Sequence, residues 1–138
     1  MATIKVYHVQ AIDRLLGNLE ALNSSSLCDR LSYLPTVEFT KICSFPLQWR
    51  MSDEDILDEA FAVTNSASSF DHLNEWYKSL QKSHQFYSGS AGDIYILEEL
   101  DSPPRGYLAL FSGWQLININ PIQKMLSQSL ECDILLPL

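Results

Sequence analysis

Residues 51–97 read MSDEDILDEAFAVTNSASSFDHLNEWYKSLQKSHQFYSGSAGDIYIL. Two helices and the strand they feed are legible here. Ser52 is placed to cap the first helix, because its hydroxyl accepts a hydrogen bond from a first-turn N–H, and Asp55 can reach back as in a capping box. Asp53, Glu54 and Asp55 also suit the positive end of the helix dipole. Ile56, Leu57, Ala60, Phe61 and Val63 form the apolar stripe, and Thr64-Asn65-Ser66 ends it. After a serine-rich loop, Asp71 is the expected cap of a second helix reaching about Gln81, with Leu73, Trp76, Tyr77 and Leu80 on one face. Ser88-Gly89-Ser90-Ala91-Gly92-Asp93 is a turn cluster that leads into a strand, Ile94–Leu97.

Working outward, Ile4–Val9 is β-branched and aromatic, the composition of a strand. Ala11–Leu22 carries Ile12, Leu15, Leu16, Leu19 and Leu22 at helical spacing. Val37–Phe45 alternates as a strand, with Phe39, Lys41 and Cys43 on one face, and Pro46 is expected to end it. Downstream, Tyr107–Phe111 is the natural partner of Ile94–Leu97, with Asp101–Gly106 as the hairpin loop, and Trp114–Ile119 is a further extended piece. Asn120 is the expected cap of a last helix with Pro121 at its first position, and Asp133–Leu138 is an apolar tail. The expected fold is α+β: a single domain over 1–138, with a small, mainly antiparallel sheet of three to five strands and three to four helices packed on one side.

The charge is regional. Residues 1–50 carry five basic and four acidic side chains, 51–101 carry two and eleven, and 102–138 carry two of each, for a net charge of −8. An acidic middle repels nucleic acid and anionic membranes and steers a basic protein partner towards itself. No apolar run reaches the length of a membrane span, and the first residues lack the layout of a secretion signal, so the expectation is a cytoplasmic protein. Cys28, Cys43 and Cys132 are widely spaced and among apolar neighbours, which fits small buried hydrophobes in a reducing compartment. No motif calls for a cofactor or a metal.

Lys5-Val6-Tyr7-His8, Glu59-Ala60-Phe61 with Thr64-Asn65, Trp76, then Ser88, Ser90, Gly92 and Asp93, and Gly113-Trp114 follow one another in a recognisable order. The middle of the chain thereby resembles a loose group of small bacterial, plasmid and phage proteins. Their pattern runs from a short strand through EAF..TN and a tryptophan to RS.SVGD and a glycine-aromatic pair. The arginine of that pattern is missing here. The resemblance implies a fold and a mobile-element setting, and no activity.

The acidic run Asp53, Glu54, Asp55, Asp58 and Glu59 has three readings: a capped, solvated helix face, a charge array for a basic partner, or, more weakly, a metal site. His8, His72 and His84 are scattered, and Trp49, Trp76 and Trp114 suit core packing better than base stacking. Ser88–Asp93 precedes a strand rather than a helix, so it reads as a turn in which Asp93 bonds local amides, not as a phosphate loop. Asn65 is expected to take a left-handed conformation and to tie its helix end to the Gly92-Asp93 turn.

The leading functional expectation is a non-enzymatic acidic binding protein carried by a phage or other mobile element. It would block a host nucleic-acid-binding complex, such as a CRISPR or restriction effector, by charge mimicry. Asp53, Glu54, Asp55, Asp58 and Glu59, with Glu98, Glu99 and Asp101, would engage the basic surface. One alternative is a host accessory or assembly subunit, monomeric or homodimeric, that binds through exposed aromatics and the tail Ile134–Leu138. Another is a small enzyme with a site around His84, Tyr87 and Asp93.

Overall fold

The computed structural model describes residues 2–9, 39–47, 52–85 and 87–119. Strand β1 is Ala2–Val9 and β2 is Phe39–Leu47; helices α1, Asp53–Val63, and α2, Asp71–His84, follow. Strands β3, Ile94–Glu99, β4, Ser102–Ala109, and β5, Trp114–Ile117, complete the order. The strands form one antiparallel sheet in the order β2-β1-β3-β4-β5. The architecture is α+β, and the sheet reaches the upper end of the expected size. The described residues hold two helices, not three or four; the segments expected to form the others, Ala11–Leu22 and the one capped by Asn120, lie outside them. So do Trp49, Cys28, Cys132 and the tail Asp133–Leu138.

Alternation along the strands decides what meets the helices. Ile4 stands between Phe45 and Leu97, and Val6 between Cys43 and Tyr95. These residues join Ile56, Leu57, Ala60 and Val63 of α1 and Leu73 and Tyr77 of α2 in one buried cluster. Each fully buried aliphatic side chain of this set contributes about 1.5–3 kcal/mol. The opposite face of the sheet is also apolar and buried, at Tyr7, Ile94, Ile96, Leu108 and Ile117. Both described helices pack on the first face, as expected, and the centre of the second is buried as well.

The strands differ from the sequence reading in three places, each for a backbone reason. Pro46 does not end β2; it stands opposite Thr3 within the strand, tolerated because β2 borders the described sheet on one side. The hairpin between β3 and β4 turns at Leu100-Asp101 alone, and Asp101–Gly106 is not its loop. Pro103 and Pro104 belong to β4; they lie beyond the Gly106–Ala109 stretch that pairs with β5, and on the β3 side they fall at the bulge between the Leu97–Arg105 and Glu99–Ser102 pairs, where regular ladder bonds are interrupted. A bulge beside Val6/Tyr7 puts Lys41 opposite Tyr7 while Cys43 stays opposite Val6, so Lys41 and Cys43 do not share a face.

Candidate functional site

Helix α1 starts as its sequence dictates. Ser52 Oγ accepts from Asp55 N at 3.3 Å and donates to Asp55 Oδ2 at 2.9 Å. Asp55 thus closes the cap through the hydroxyl rather than through the backbone of Ser52. Asp53, two residues earlier and first in the helix, faces the sheet. Arg105 grips it side-on, Nε to Oδ2 at 2.6 Å and Nη2 to Oδ1 at 2.9 Å, and the Tyr107 hydroxyl donates to Oδ2 at 2.6 Å. Arg105 and Tyr107 stand two apart on β4, so they project to the same side and reach the same carboxylate. Arg105 also donates to Glu99 at 3.2 Å.

Their protonation follows this geometry. The Arg105 hydrogen bonds hold the Asp53 carboxyl below its ordinary value, against the opposing effect of burial. Burial first, and the Asp53 hydrogen bond second, push Tyr107 up to about 12. Arg105 is raised further above its already high range by Asp53.

The eight acidic residues expected to form a binding face divide into two kinds. Asp53 and Glu99 share Arg105, and Glu98 pairs with Lys5 at 2.6 Å, so a cation offsets each of these charges. Asp55 is held by Ser52, Asp58 accepts from Trp114 Nε1 at 2.9 Å, and Glu59 accepts from Ser69 N and Oγ, both at 3.0 Å. Those donors are neutral. They fix the carboxylates in place and leave the negative charge intact. Glu54 and Asp101 are exposed, and their carboxylates have no partner among the described residues. Among the described residues no cation offsets Glu54, Asp55, Asp58 and Glu59, which form a patch on α1, while Asp53 and Glu99 tie the start of α1 to the sheet through Arg105 and Glu98 pairs with Lys5 on the sheet's other face.

A second polar group lies inside the fold. His8 Nε2 is 2.9 Å from the Tyr77 hydroxyl, which also donates to the Tyr87 carbonyl at 3.2 Å. His8 Nδ1 is 2.9 Å from Asp93 Oδ2, within ion-pair distance although off the ring N–H direction. Asp93 Oδ2 also accepts from Ser90 N, the local amide bond expected of this turn. His8 is 3% exposed and Asp93 0%, so this group is buried next to Tyr77 of α2.

Beside it, the Tyr95 hydroxyl is 2.8 Å from Thr64 Oγ1, and Gly89 N donates to the Thr64 carbonyl. Burial, with the charge of Asp93 adding to it, pushes Tyr95 well above the ordinary tyrosine range.

His84, Tyr87 and Asp93 differ in their exposure. The side chains of His84 and Tyr87 are exposed, whereas Asp93 is buried against His8. Nor does Asn65 tie its helix end to the turn: it bonds back to the Phe61 carbonyl, Ser66 takes the positive φ, and Thr64 makes the link to Gly89 and Tyr95. Asp71 is the first helical residue of α2 rather than its cap, and the helix runs on to His84. The loop before it is fastened by Asn74, which exchanges two hydrogen bonds with the Ser68 backbone, both 2.9 Å.

Sequence reasoning missed Arg105 and His8. Both left a signal. Arg105 is the only Lys or Arg between Lys82 and Lys124, in reach of an acidic stretch. His8 shares the alternation of Ile4 and Val6, which marks it as inward-facing and in need of a polar partner.

Among the described residues no group of three His, Cys, Asp or Glu side chains could hold a metal ion, and no helix is long and apolar enough to cross a membrane. Compared with known proteins, the chain matches no family model, no curated protein and no solved structure.

Proposed function

We propose that the protein is a non-enzymatic binding protein whose α1 face engages a basic protein surface of the kind that otherwise holds nucleic acid. The observation that carries this reading is the way Asp55, Asp58 and Glu59 are held. Ser52, Trp114 and Ser69 fix them in position without cancelling their charge, and Glu54 adds a fourth. A rigid row of full negative charges meets Lys and Arg side chains with little ordering cost, as a phosphate backbone does. Asp101 at the β3–β4 turn extends the same sign. Asp53 and Glu99 contribute shape there rather than charge, and Glu98, paired with Lys5, faces away from α1. A phage or mobile-element origin, with a CRISPR or restriction effector as target, is the biological setting proposed for this chemistry.

The test is capture from nuclease-treated host lysate by the wild type and by a variant carrying E54Q, D55N and E59Q, with circular dichroism checking the fold. The amides keep an acceptor oxygen, so the local bonds survive. The expected result is a nucleic-acid-binding complex held by the wild type, lost in the variant, weakened by salt and displaced by added nucleic acid. Equal capture by both proteins overturns the proposal.

A further inference from the structure

One hollow lies at the border of the acidic patch. It is a notch of about 170 Å³ between the outer side of α1 and the loop joining β4 to β5, lined by Asp58, Phe61, Leu110, Phe111, Gly113 and Trp114. Its volume is several times that of one water, about 30 Å³.

Its walls are set by the fold. Trp114 is locked by edge-on contacts with Tyr95 at 5.1 Å and Phe61 at 6.0 Å between ring centroids, and by its Nε1 bond to Asp58. It nevertheless remains partly exposed. The loop is pinched by Leu110 N donating to the Gly113 carbonyl at 3.0 Å, with Gly113 at φ 97°. Phe111 at its tip is 57% exposed, so its ring is open to a partner beside the notch.

We propose that this notch anchors one arginine side chain of the partner protein. The inference rests on the binding reading above and names the contact that gives it specificity. The argument is complementarity of three kinds. Asp58 spends one oxygen on a neutral indole N–H, so its charge is available to a cation. Indole and phenyl rings, both in the lining, attract a cation through their negative π faces. A planar guanidinium can stack on a ring and hydrogen-bond a carboxylate at the same time, which a lysine ammonium does less well. No Lys or Arg occurs from residue 51 to residue 77, so α1 brings no cation of its own to compete.

The test uses the full chain, 15N-labelled, titrated at low salt with the peptide acetyl-Gly-Arg-Gly-Arg-Gly-amide and its lysine and citrulline counterparts. The chain has three indole signals, from Trp49, Trp76 and Trp114, which W114F assigns. The expected result is a saturable shift of the Trp114 indole and the Gly113 amide with the arginine peptide. Citrulline, planar but uncharged, should leave them unmoved, and F111A should weaken the response about fivefold. Phe111 is exposed, so F111A leaves the fold intact.

Equal response to citrulline overturns the anchor, as does an indole signal that stays still while the amides of Glu54, Asp55 and Glu59 move. That last pattern leaves the acidic-face reading standing. Notch shifts that persist in E54Q/D55N/E59Q, when lysate capture is also unchanged in that variant, keep the anchor and overturn the acidic-face reading instead.

Discussion

Gly89 shows how one residue can be fixed by a contact far away in the chain. A Cβ there would overlap Thr64 Oγ1 and the Tyr95 hydroxyl, the two atoms that join the end of α1 to β3. G89A must therefore part that hydrogen bond or push β3 from the helix. Overpacking of this kind typically costs about 1–3 kcal/mol, and the lost buried bond belongs at the upper end. Urea unfolding of G89A should accordingly show a fall of about 2–3 kcal/mol. Gly113 makes the useful contrast. A Cβ there meets nothing within 4 Å, and only its φ of 97° demands glycine, so G113A should cost about 1 kcal/mol. If the two variants lose stability equally, packing at Gly89 is not what fixes it. In the sequence Gly89 reads only as one of the small residues of a turn cluster. Nothing local to Ser88–Asp93 reveals that Thr64 and Tyr95 converge on it, because that contact exists only once the sheet has formed.

At the scale of elements, α1 is held to the sheet by polar ties as well as by its apolar stripe. The foremost is Asp53 with Arg105 and Tyr107. D53N keeps the shape and removes the charge. The Arg105 guanidinium and the Tyr107 hydroxyl then lose their strongest acceptor, at a cost of about 1–2 kcal/mol once partial exposure of the pair is allowed for.

The pH dependence has a definite sign. Asp53 is held below its ordinary value when folded, so its contribution is present above the unfolded pKa of about 3.9 and is lost as pH falls through the lower folded value. D53N should flatten the acid limb of stability against pH. Tyr107 works at the other end. Its folded value is raised to about 12, so the folded state keeps a proton that the unfolded chain releases near pH 10. Stability from this group is complete below about pH 10 and declines as pH rises towards 12. Chemical denaturation at pH 9, 10 and 11 should show a shallower decline for Y107F than for the wild type, and identical slopes would mean Tyr107 is not linked to folding.

Much of this element was legible: the Ser52 cap, the Asp55 closure and the Ile56–Leu57–Ala60 stripe are local patterns. The tie was not, because Pro103-Pro104 reads as a loop. Arg105 and Tyr107 face α1 only because β4 starts at Ser102, extending through both prolines beyond the reach of β5.

Over the whole molecule, the distribution of charge sets folding against function. On α1, Glu54 and Asp58, and likewise Asp55 and Glu59, stand four residues apart, and Asp55 and Asp58 three. Each like-charge pair costs a few tenths of a kcal/mol, roughly 0.2–0.5. The helix dipole repays this within the first turn, at Asp53, Glu54 and Asp55, but not at Asp58 or Glu59. Glu59 does hold Ser69, and glutamine can hold it as well through its carbonyl oxygen.

Neutralising Glu54 and Glu59 together should therefore leave stability unchanged or raise it slightly, in spite of the bonds the patch makes. Salt gives an independent check, because screening relieves repulsion between exposed charges. The thermal midpoint of the wild type should rise as salt is raised from low to moderate ionic strength, and E54Q/E59Q should start higher and respond less. That outcome would separate the patch from the requirements of the fold, since a stabilising solvated face would not improve on losing its charge. A clear loss of stability in E54Q/E59Q, with no gain from salt in the wild type, would instead make the carboxylates structural members of α1 and remove the physical reason for assigning them to a partner.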